Sequence, residues 1–501
     1  MASTHEYRQQ AHQRGFMTTD NTSTGIVTTT ATPPCTLTAT SFARASRMLC
    51  ATVTAVCLTV IAASPPASAQ GLPLIRDTEI ENLLKDYARP IFKAANVASQ
   101  NITMRVIRSE SFNAFVADGH NVFVNTGTLT QAKTPNEVIG VIAHETGHIT
   151  GGHLAALRAR IARDQTKALL VGILGIGAMV AGATSRTENG REMGNVGQGV
   201  MFGGNAVITR GILSERRSQE SAADQAGISF LNITHQSGRG MLEVFERFRQ
   251  QEYISEQQMD PFNRTHPVAT DRLAQLRDKV EKSPYANVKD DPALQLRHDL
   301  MRAKIAGFLD QPRNIANSYP ASDKSLAARY ARAIAANCSG KCDTAMPQVD
   351  ALISEMPQNP YFHELKGDLL YAAGKPRDAV AHLRKGLTLV SSYSPMMEVN
   401  LAQAMLGSED PTVLDDALNK LRKASVNEED NSTAFHLMAQ VYNKKKMEPL
   451  AMISTARALF IEGNFKQATI FAKRAQVGLK QGTPEWIRAE DIITFKPPQP
   501  E

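Results

Sequence analysis

Three histidines and a glutamate lie within thirteen residues of the sequence, in the stretch VIAHETGHITGGH (residues 141–153). His144 and His148 are four residues apart, so on a helix they lie one above the other on the same face. Two neutral imidazoles in this arrangement can bind one Zn²⁺ ion. Glu145 is rotated by about 100° from His144, so its carboxylate can hold a water at the metal without binding the metal itself. The spacing therefore predicts a zinc centre with His144 and His148 as ligands and Glu145 as the catalytic base.

A catalytic zinc ion needs a third protein ligand and one open position. The segment SERRSQESAADQAGISFL (residues 214–231) has the pattern of a helix on which Glu220 and Asp224 are four residues apart. We expect Glu220 to be the third ligand and Asp224 to accept a hydrogen bond from a ligand imidazole. Two alternatives remain open: both carboxylates are solvated among neighbouring charges, or Glu215, one turn earlier, is the ligand. By contrast, His153 lies about 140° round a continuous helix from His148 and is expected on the polar face.

The elements that must position these residues combine helices and strands. The tetrapeptide Thr78-Glu79-Ile80-Glu81 is a capping box that predicts the start of a helix. The helix that contains His144 is expected to begin at a second capping box, Thr134-Pro135-Asn136-Glu137, with proline at its first position. Between the two helices we expect three short strands, the last two joined by a hairpin at Asp118-Gly119. These strands are predicted at Ile102–Val106, Phe112–Ala117 and Asn121–Asn125.

After Pro284 the composition changes to residues that favour helices. Small residues in Asn359–Leu387 have the spacing of a tetratricopeptide-type helix pair. The step from Ala379 to Ala417 is 38 residues and the step from Ala417 to Ala451 is 34, which indicates degenerate repeats. Stacked helix pairs form a concave surface that suits an extended polypeptide or a partner protein. A solenoid that only braces the first domain would have the same pattern.

The first 69 residues have the pattern of an export signal. Arg44 and Arg47 precede an apolar run of about 16 residues, and Ala67-Ser68-Ala69 offers a small-residue cleavage site before Gln70. The run is shorter than the roughly 20 residues that a membrane-spanning helix needs. We therefore expect export and cleavage after Ala69, with an uncleaved membrane anchor as the alternative.

In an oxidising compartment, which the predicted export implies, the cysteines of a protein can form disulfides. Beyond the leader only Cys338 and Cys342 remain, in the stretch CSGKC, and there is no second pair to complete a zinc knuckle. A disulfide that closes a turn is the expectation, and two free thiols are the alternative. The formal net charge of +6 over 501 residues gives little reason to expect a nucleic-acid partner.

Residues 168–213 are rich in glycine and methionine. The first part, residues 168–183, is apolar on all sides but too short to span a bilayer. Two interpretations are open: a buried helical hairpin, or a mobile flap that faces a membrane or covers the active site.

These motifs together resemble a known family. An HExxH motif followed by ExxxD, with SFNAFVADGHNVFVNTGTL before them and THPVATDR after them, is similar to the gluzincin family of CAAX-prenyl and heat-shock proteases. The resemblance implies that the strand around Asn113, Ala114 and Phe115 lines the cleft and pairs with substrate backbone. It also implies that His266 approaches the zinc ion, either to stabilise the oxyanion or to take the fourth position at rest. Arg272, on the next helix, is placed to hold that loop or Glu220.

The predicted fold is mainly α with a small β-sheet. After the leader (residues 1–69), we expect a zincin-like metalloprotease domain (70–283) and an α-solenoid of degenerate tetratricopeptide repeats (284–495). The predicted function is an exported endopeptidase, with one Zn²⁺ per chain, that cleaves unfolded or misassembled polypeptides. The resemblance implies a periplasmic location, a role in outer-membrane protein quality control, contact of the repeats with the β-barrel assembly machinery, and peripheral membrane contact. The alternative is a repeat-based chaperone or adaptor for envelope proteins with a mostly repressed protease site.

Overall fold

The structure is a computed structural model that describes residues 73–117, 119–160, 162–164, 214–249, 266 and 270–497. The predictions for the leader and for residues 168–213 lie outside these ranges. Within the described part of the chain, no helix has the length and apolar composition needed to cross a membrane.

A small mixed sheet forms one edge of the first domain. Its strands are β1 (Leu74–Ile75), β2 (Thr103–Ile107), β3 (Ala114–Ala117) and β4 (Asn121–Asn125). The strand order is β1-β2-β4-β3, with β2 parallel to β4 and β3 antiparallel to β4. The predicted hairpin is confirmed, with Val116 opposite Val122. Strand β3 therefore lies at an edge of the sheet as the structure describes it.

The described part of the first domain contains seven α-helices. Helix α1 is amphipathic and buries Leu83, Leu84 and Tyr87 against β2 and α3, and α3 packs in turn on β3 and α6. The helices are α1 (Thr78–Ala94), α2 (Thr126–Gln131), α3 (Pro135–Thr150), α4 (residues 153–160), α5 (residues 214–233), α6 (Arg239–Arg249) and α7 (Thr270–Glu281).

The start of α1 differs from the predicted capping box. Asp77 is the N-cap, and its carboxylate accepts a hydrogen bond from the backbone N–H of Ile80 at 3.0 Å. The hydroxyl of Thr78 lies instead 2.8 Å from that of Ser394, far along the chain. The side chain of Thr78, which the local pattern assigned to the helix cap, thus makes a long-range contact instead.

The second half of the chain is the predicted α-solenoid. Its helices pack in chain order, and the predicted anchors Ala379, Ala417 and Ala451 are buried between them. At Gly367 a Cβ would lie 2.5 Å from the side chain of Leu383, so this helix crossing requires glycine. The helices are α8 (Pro292–Leu309), α9 (Pro312–Ser318), α10 (Leu326–Cys338), α11 (Cys342–Glu355), α12 (Pro360–Ala372), α13 (Pro376–Leu389), α14 (Pro395–Gly407), α15 (Leu414–Asn427), α16 (Ser432–Lys444), α17 (Glu448–Ile461), α18 (Phe465–Gly478) and α19 (Pro484–Thr494).

The structure does not contain the predicted disulfide between Cys338 and Cys342. Cys338 ends α10 and is exposed, whereas Cys342 begins α11 and is half-buried against the apolar core of the first repeats. The thiol of Cys342 donates to Oδ1 of Asn337 at 3.8 Å. The turn between them, with Gly340 at a φ of +74°, separates a solvent-facing thiol from one that faces the repeat core.

A buried lysine joins the two halves of the structure. The ammonium of Lys304, on α8, lies 2.8 Å from Asp77, 3.2 Å from Glu79 and 3.7 Å from Glu364 on α12. Burial disfavours the charged lysine, but these acidic neighbours outweigh that cost and hold the pKa of Lys304 well above its usual value. The hydroxyl of Tyr330 also donates to Glu79, at 3.0 Å. Pro73–Ile493 form one compact unit, and the boundary between residues 283 and 284 stays a prediction.

Replacing Lys304 by methionine should lower the free energy of unfolding by about 3–5 kcal/mol, because several buried carboxylates would lose their shared cation. Urea denaturation followed by circular dichroism measures the change. Lys282→Met is the matched control, since Lys282 pairs with Asp278 at the surface and its side chain is 75% exposed. Equal stability of the two variants would contradict a structural role for the buried lysine.

Candidate active site

Helix α3 starts as the sequence predicts and carries the HExxH residues into the interior. The hydroxyl of Thr134 accepts a hydrogen bond from the backbone N–H of Glu137, and Pro135 occupies the first turn. The helix buries an apolar stripe that ends at Ala143, and His144 and Glu145 follow with 0% and 1% of their surface exposed. The imidazole and the carboxylate are therefore held by a packed helix, which fixes their positions.

Helix α5 can approach α3 closely because small residues line the contact. A Cβ on Gly147 would lie 2.7 Å from the backbone oxygen of Ala223, and a Cβ on Gly227 would lie 3.2 Å from the backbone of Ala143. Ala223 and Gly227 are four residues apart and therefore lie on the same face of α5. The close approach brings the carboxylates of α5 to the histidines of α3.

Four side chains converge at this contact: His144, His148, Glu220 and His266. Each offers one nitrogen or oxygen atom, and these atoms all lie within 4.8 Å of one another. Nε2 of His144 is 3.1 Å from Nε2 of His148 and 3.4 Å from Oε2 of Glu220. Nδ1 of His266 is 3.1 Å from the same carboxylate oxygen. The predicted ligands and the loop histidine thus share one small volume.

Asp224 and Arg272 support this group from behind. Oδ1 of Asp224 lies 3.0 Å from Nδ1 of His144, the ring nitrogen that faces away from the other donors. The guanidinium of Arg272 donates to both oxygens of Asp224, at 2.8 and 2.9 Å, and lies 3.3 Å from Glu220. Of the two placements left open for Arg272, the structure shows the contact with Glu220, and the same arginine also orients the acceptor of His144.

The buried charges favour a cation at the centre of the group. Burial by itself would raise the pKa of Glu220, but His266 and His144 hold that pKa well below its usual value. Burial opposes a charge on His144, yet its hydrogen bonds to Asp224 and Glu220 raise the pKa of this imidazole to about 10. Burial and the charge of His144 lower the pKa of His148 to about 2. Two ionised carboxylates thus require positive charge, which a proton or a metal ion can supply.

Glu145 lies beside the group without joining it. It receives a hydrogen bond from the backbone of Val116, on the edge strand β3, and burial raises its pKa. Its Oε1 atom is buried and accepts no hydrogen bond from the described residues, although Nε2 of His266 is 3.4 Å away. A carboxylate with a raised pKa and an unused oxygen next to metal-type donors is suited to accept a proton.

The cleft strand and the rival ligand can also be located. Asn113 and Ala114 are buried, and Phe115 is half-buried and stacks on Phe123 with ring centres 5.1 Å apart. Glu215 pairs with Arg160 at 2.7 Å and is not a member of the donor group. Two contacts were not predicted from the sequence: the backbone of Val116 at Glu145, and His153, whose Nδ1 lies 3.0 Å from Nδ1 of His148.

The donor set fits zinc. Three imidazoles and one carboxylate are the nitrogen and oxygen ligands that zinc accepts, and four donors match its usual coordination number. The buried, unused Oε1 atom of Glu145 lies next to these donors, where a water at the metal needs an acceptor.

Comparison with known proteins agrees with this geometry: residues 75–280 match the sequence model of Peptidase family M48. They form an M48 peptidase domain. All of the donor residues and Glu145 lie inside the matched range. The protein is a zinc metalloprotease, and the α-solenoid follows the M48 domain in the chain.

Parts of the chain, of different lengths, are similar to three curated proteins. The chain is 24% identical over 431 residues to the beta-barrel assembly-enhancing protease of Escherichia coli (strain K12), covering 84% of each chain. It is 27% identical over 309 residues to the putative beta-barrel assembly-enhancing protease of Vibrio cholerae, covering 59% of this chain and 60% of the relative. It is 26% identical over 200 residues to metalloprotease LoiP of Escherichia coli, covering 39% and 71%.

The choice between the two candidate glutamates on α5 can be tested directly. Glu220→Gln should lose zinc, because it removes the only carboxylate among the four converging donors of the described residues. Glu215→Gln should keep zinc, because that side chain pairs with Arg160. Metal content after dialysis, measured by inductively coupled plasma mass spectrometry, compares the variants. Loss of zinc from Glu215→Gln alone would move the third ligand one turn back.

Proposed function

We propose that the chain is an exported zinc endopeptidase that cleaves unfolded or misassembled polypeptides during outer-membrane protein assembly. The observation that carries the proposal is the convergence of His144, His148 and Glu220, with Glu145 beside them. In this assignment the two histidines and Glu220 bind the metal, and Asp224 orients His144 through its Nδ1 proton.

The chemistry that zinc supplies when bound is Lewis acidity toward water and toward a peptide carbonyl. Glu145 accepts the proton of the attacking water and passes it to the leaving amine. Its raised pKa suits both steps, because the carboxylate must take up a proton and then release it. The hydrogen bond from Val116 keeps the carboxylate at the sheet edge during this exchange.

Substrate binding is assigned to the edge of the sheet. In the described residues β3 pairs with β4 on one side only, and its residue Val116 contacts the catalytic carboxylate on the other. An extended polypeptide that adds to this edge would bring its backbone to Glu145. Unfolded chains can adopt this conformation freely, whereas folded domains cannot. Asn113, Ala114 and Phe115 line the beginning of this edge.

The relatives support the biological setting of the proposal. Two of them are named as enhancing β-barrel assembly, and one of these spans 84% of this chain, including the repeats. We therefore assign the α-solenoid to binding client polypeptides or their assembly machinery. Periplasmic location after cleavage at Ala69, with peripheral contact to a membrane, belongs to the same proposal.

Glu145→Gln should leave zinc bound and lower cleavage of an unfolded substrate by about 10²-fold or more, because it removes the base but no ligand. The measurements are metal content and cleavage of a reduced, denatured protein followed by gel electrophoresis. Glu215→Gln, one of the variants above, is the matched control for charge. Loss of zinc from Glu145→Gln would mean that Glu145 is itself a ligand.

His266 is proposed to hold the site at rest. Its Nδ1 lies among the ligand atoms, 3.2 Å from Nε2 of His144, and its Nε2 lies 3.4 Å from Oε1 of Glu145. The imidazole of His266 thus occupies the place where the metal needs an open coordination position. It also lies beside the catalytic base. A protease exported among unfolded polypeptides needs a resting state that does not cleave them. Departure of His266 would free the metal position and the catalytic base together.

His266→Ala should therefore increase cleavage of an unfolded substrate several-fold and promote self-cleavage, with His436→Ala in the repeats as the control. The alternative role, donation of a hydrogen bond to the oxyanion, predicts a decrease of roughly 10²–10³-fold. Initial rates on a fluorogenic unfolded substrate distinguish the two. A variant slower than the wild type would exclude the resting role.

A further inference from the structure

The two ring nitrogens of His148 face different neighbours. Nε2 faces the donor group, 3.1 Å from Nε2 of His144 and 3.5 Å from Oε1 of Glu220. Nδ1 lies 3.0 Å from Nδ1 of His153, and the two rings meet edge to face at an angle of 82°. A neutral imidazole that binds a metal through Nε2 carries its proton on Nδ1. His153 is then the acceptor of that proton and carries its own proton on Nε2.

The chain builds this contact with two glycines. Helix α3 ends at Thr150, Gly152 has a φ of +62°, and the chain re-enters a helix at His153. The reversal brings His153 back over the last turn of α3, to a place that a continuous helix would not reach. A Cβ on Gly151 would lie 2.3 Å from Nε2 of His153, so the ring fits only because residue 151 has no side chain.

The outer partners of the two HExxH histidines differ in charge. His144 faces the carboxylate of Asp224, which Arg272 holds. His148 faces an imidazole, which is a neutral acceptor when it carries one proton. His153 is not one of the four groups that converge within 4.8 Å, and its hydrogen bond to the donor group is the one with His148.

We propose that His153 is a positioning residue for the zinc ligand His148. It accepts the Nδ1 proton, holds the tautomer that presents the Nε2 lone pair to the metal, and fixes the plane of the ring. The proposal rests on the proposed function, since it takes His148 as a ligand. It assigns a task to a residue that lies outside the HExxH motif and outside the donor group.

The zinc affinities of three variants distinguish the effect of the His153 hydrogen bond from the effect of the size of its ring. His153→Phe keeps the ring but has no acceptor, and should weaken zinc binding by about 10- to 100-fold. His153→Gln retains an acceptor oxygen and should stay within a few-fold of the wild type. Gly151→Ala should act like His153→Phe, because the new methyl group displaces the ring while His153 remains in the sequence. Competition with a chromophoric zinc chelator at fixed pH measures the constants.

A second readout reports the tautomer directly. In the zinc-loaded wild type, ¹⁵N-detected NMR of the imidazoles should find the proton of His148 on Nδ1 and protected from exchange. In zinc-loaded His153→Phe the same proton should exchange faster. His436→Phe, at an exposed histidine of the repeats that pairs with Glu462, is the control for the loss of a histidine.

Failure of this inference is distinguishable from failure of the proposed function. If the wild type binds zinc, His144→Ala loses it, and His153→Phe retains wild-type affinity, the positioning role is overturned while the metal site stands. If the wild type and His144→Ala bind zinc equally weakly, the proposed metal site fails and the role of His153 fails with it. Circular dichroism of each apo-variant confirms that the comparison is between folded proteins.

Discussion

Two carboxylates one helical turn apart can be buried only if cations or hydrogen-bond donors surround them. Glu220 and Asp224 are each 5% exposed, and Arg272 contacts both. The remaining compensation comes from the imidazoles of His144 and His266. A guanidinium cannot lose its charge at physiological pH, so Arg272 neutralises part of this negative charge permanently. The remaining negative charge of the two carboxylates has to be balanced by protons on the histidines or by a metal ion.

The geometry of the site follows from close packing of helices. Gly147 on α3 and Gly227 on α5 let the two backbones approach to distances that a side chain would prevent. The side chains that we propose as metal ligands on these helices, His144, His148 and Glu220, are therefore short extensions from two packed helices. The catalytic carboxylate is held from the third direction by β3. Such support limits the movement of each group, which catalytic geometry requires.

Features that depend on the spacing of neighbouring residues could be predicted from the sequence. The four-residue spacings of His144 with His148 and of Glu220 with Asp224 define helix faces, and both pairs do converge. His153 is not one of the four converging donors, as expected, but its contact with His148 was missed because the angular estimate assumed one continuous helix, whereas α3 ends before Gly151 and Gly152. The predicted disulfide failed for a related reason, since spacing alone does not determine where each thiol points.

Contacts between distant segments were beyond sequence reasoning of this kind. Lys304 has no local feature that indicates burial, and its partners Asp77 and Glu79 lie more than two hundred positions earlier. The hydroxyl of Thr78 was assigned to a helix cap for the same reason, because Ser394 is not visible in the local pattern. Local rules predict which elements form, and the long-range charge pairs show how those elements meet.

The lysine shared between α1, α8 and α12 has a consequence for how such proteins diverge. A repeat array exchanged between relatives would carry Lys304, Tyr330 and Glu364 as one set and leave Asp77 and Glu79 behind as the other. Lys304 would keep Glu364 as a partner, but Asp77 and Glu79 would lose the cation that lies 2.8 and 3.2 Å from them. A solenoid from another protein would therefore have to bring its own cation to this joint, or the peptidase domain would keep two buried carboxylates without one.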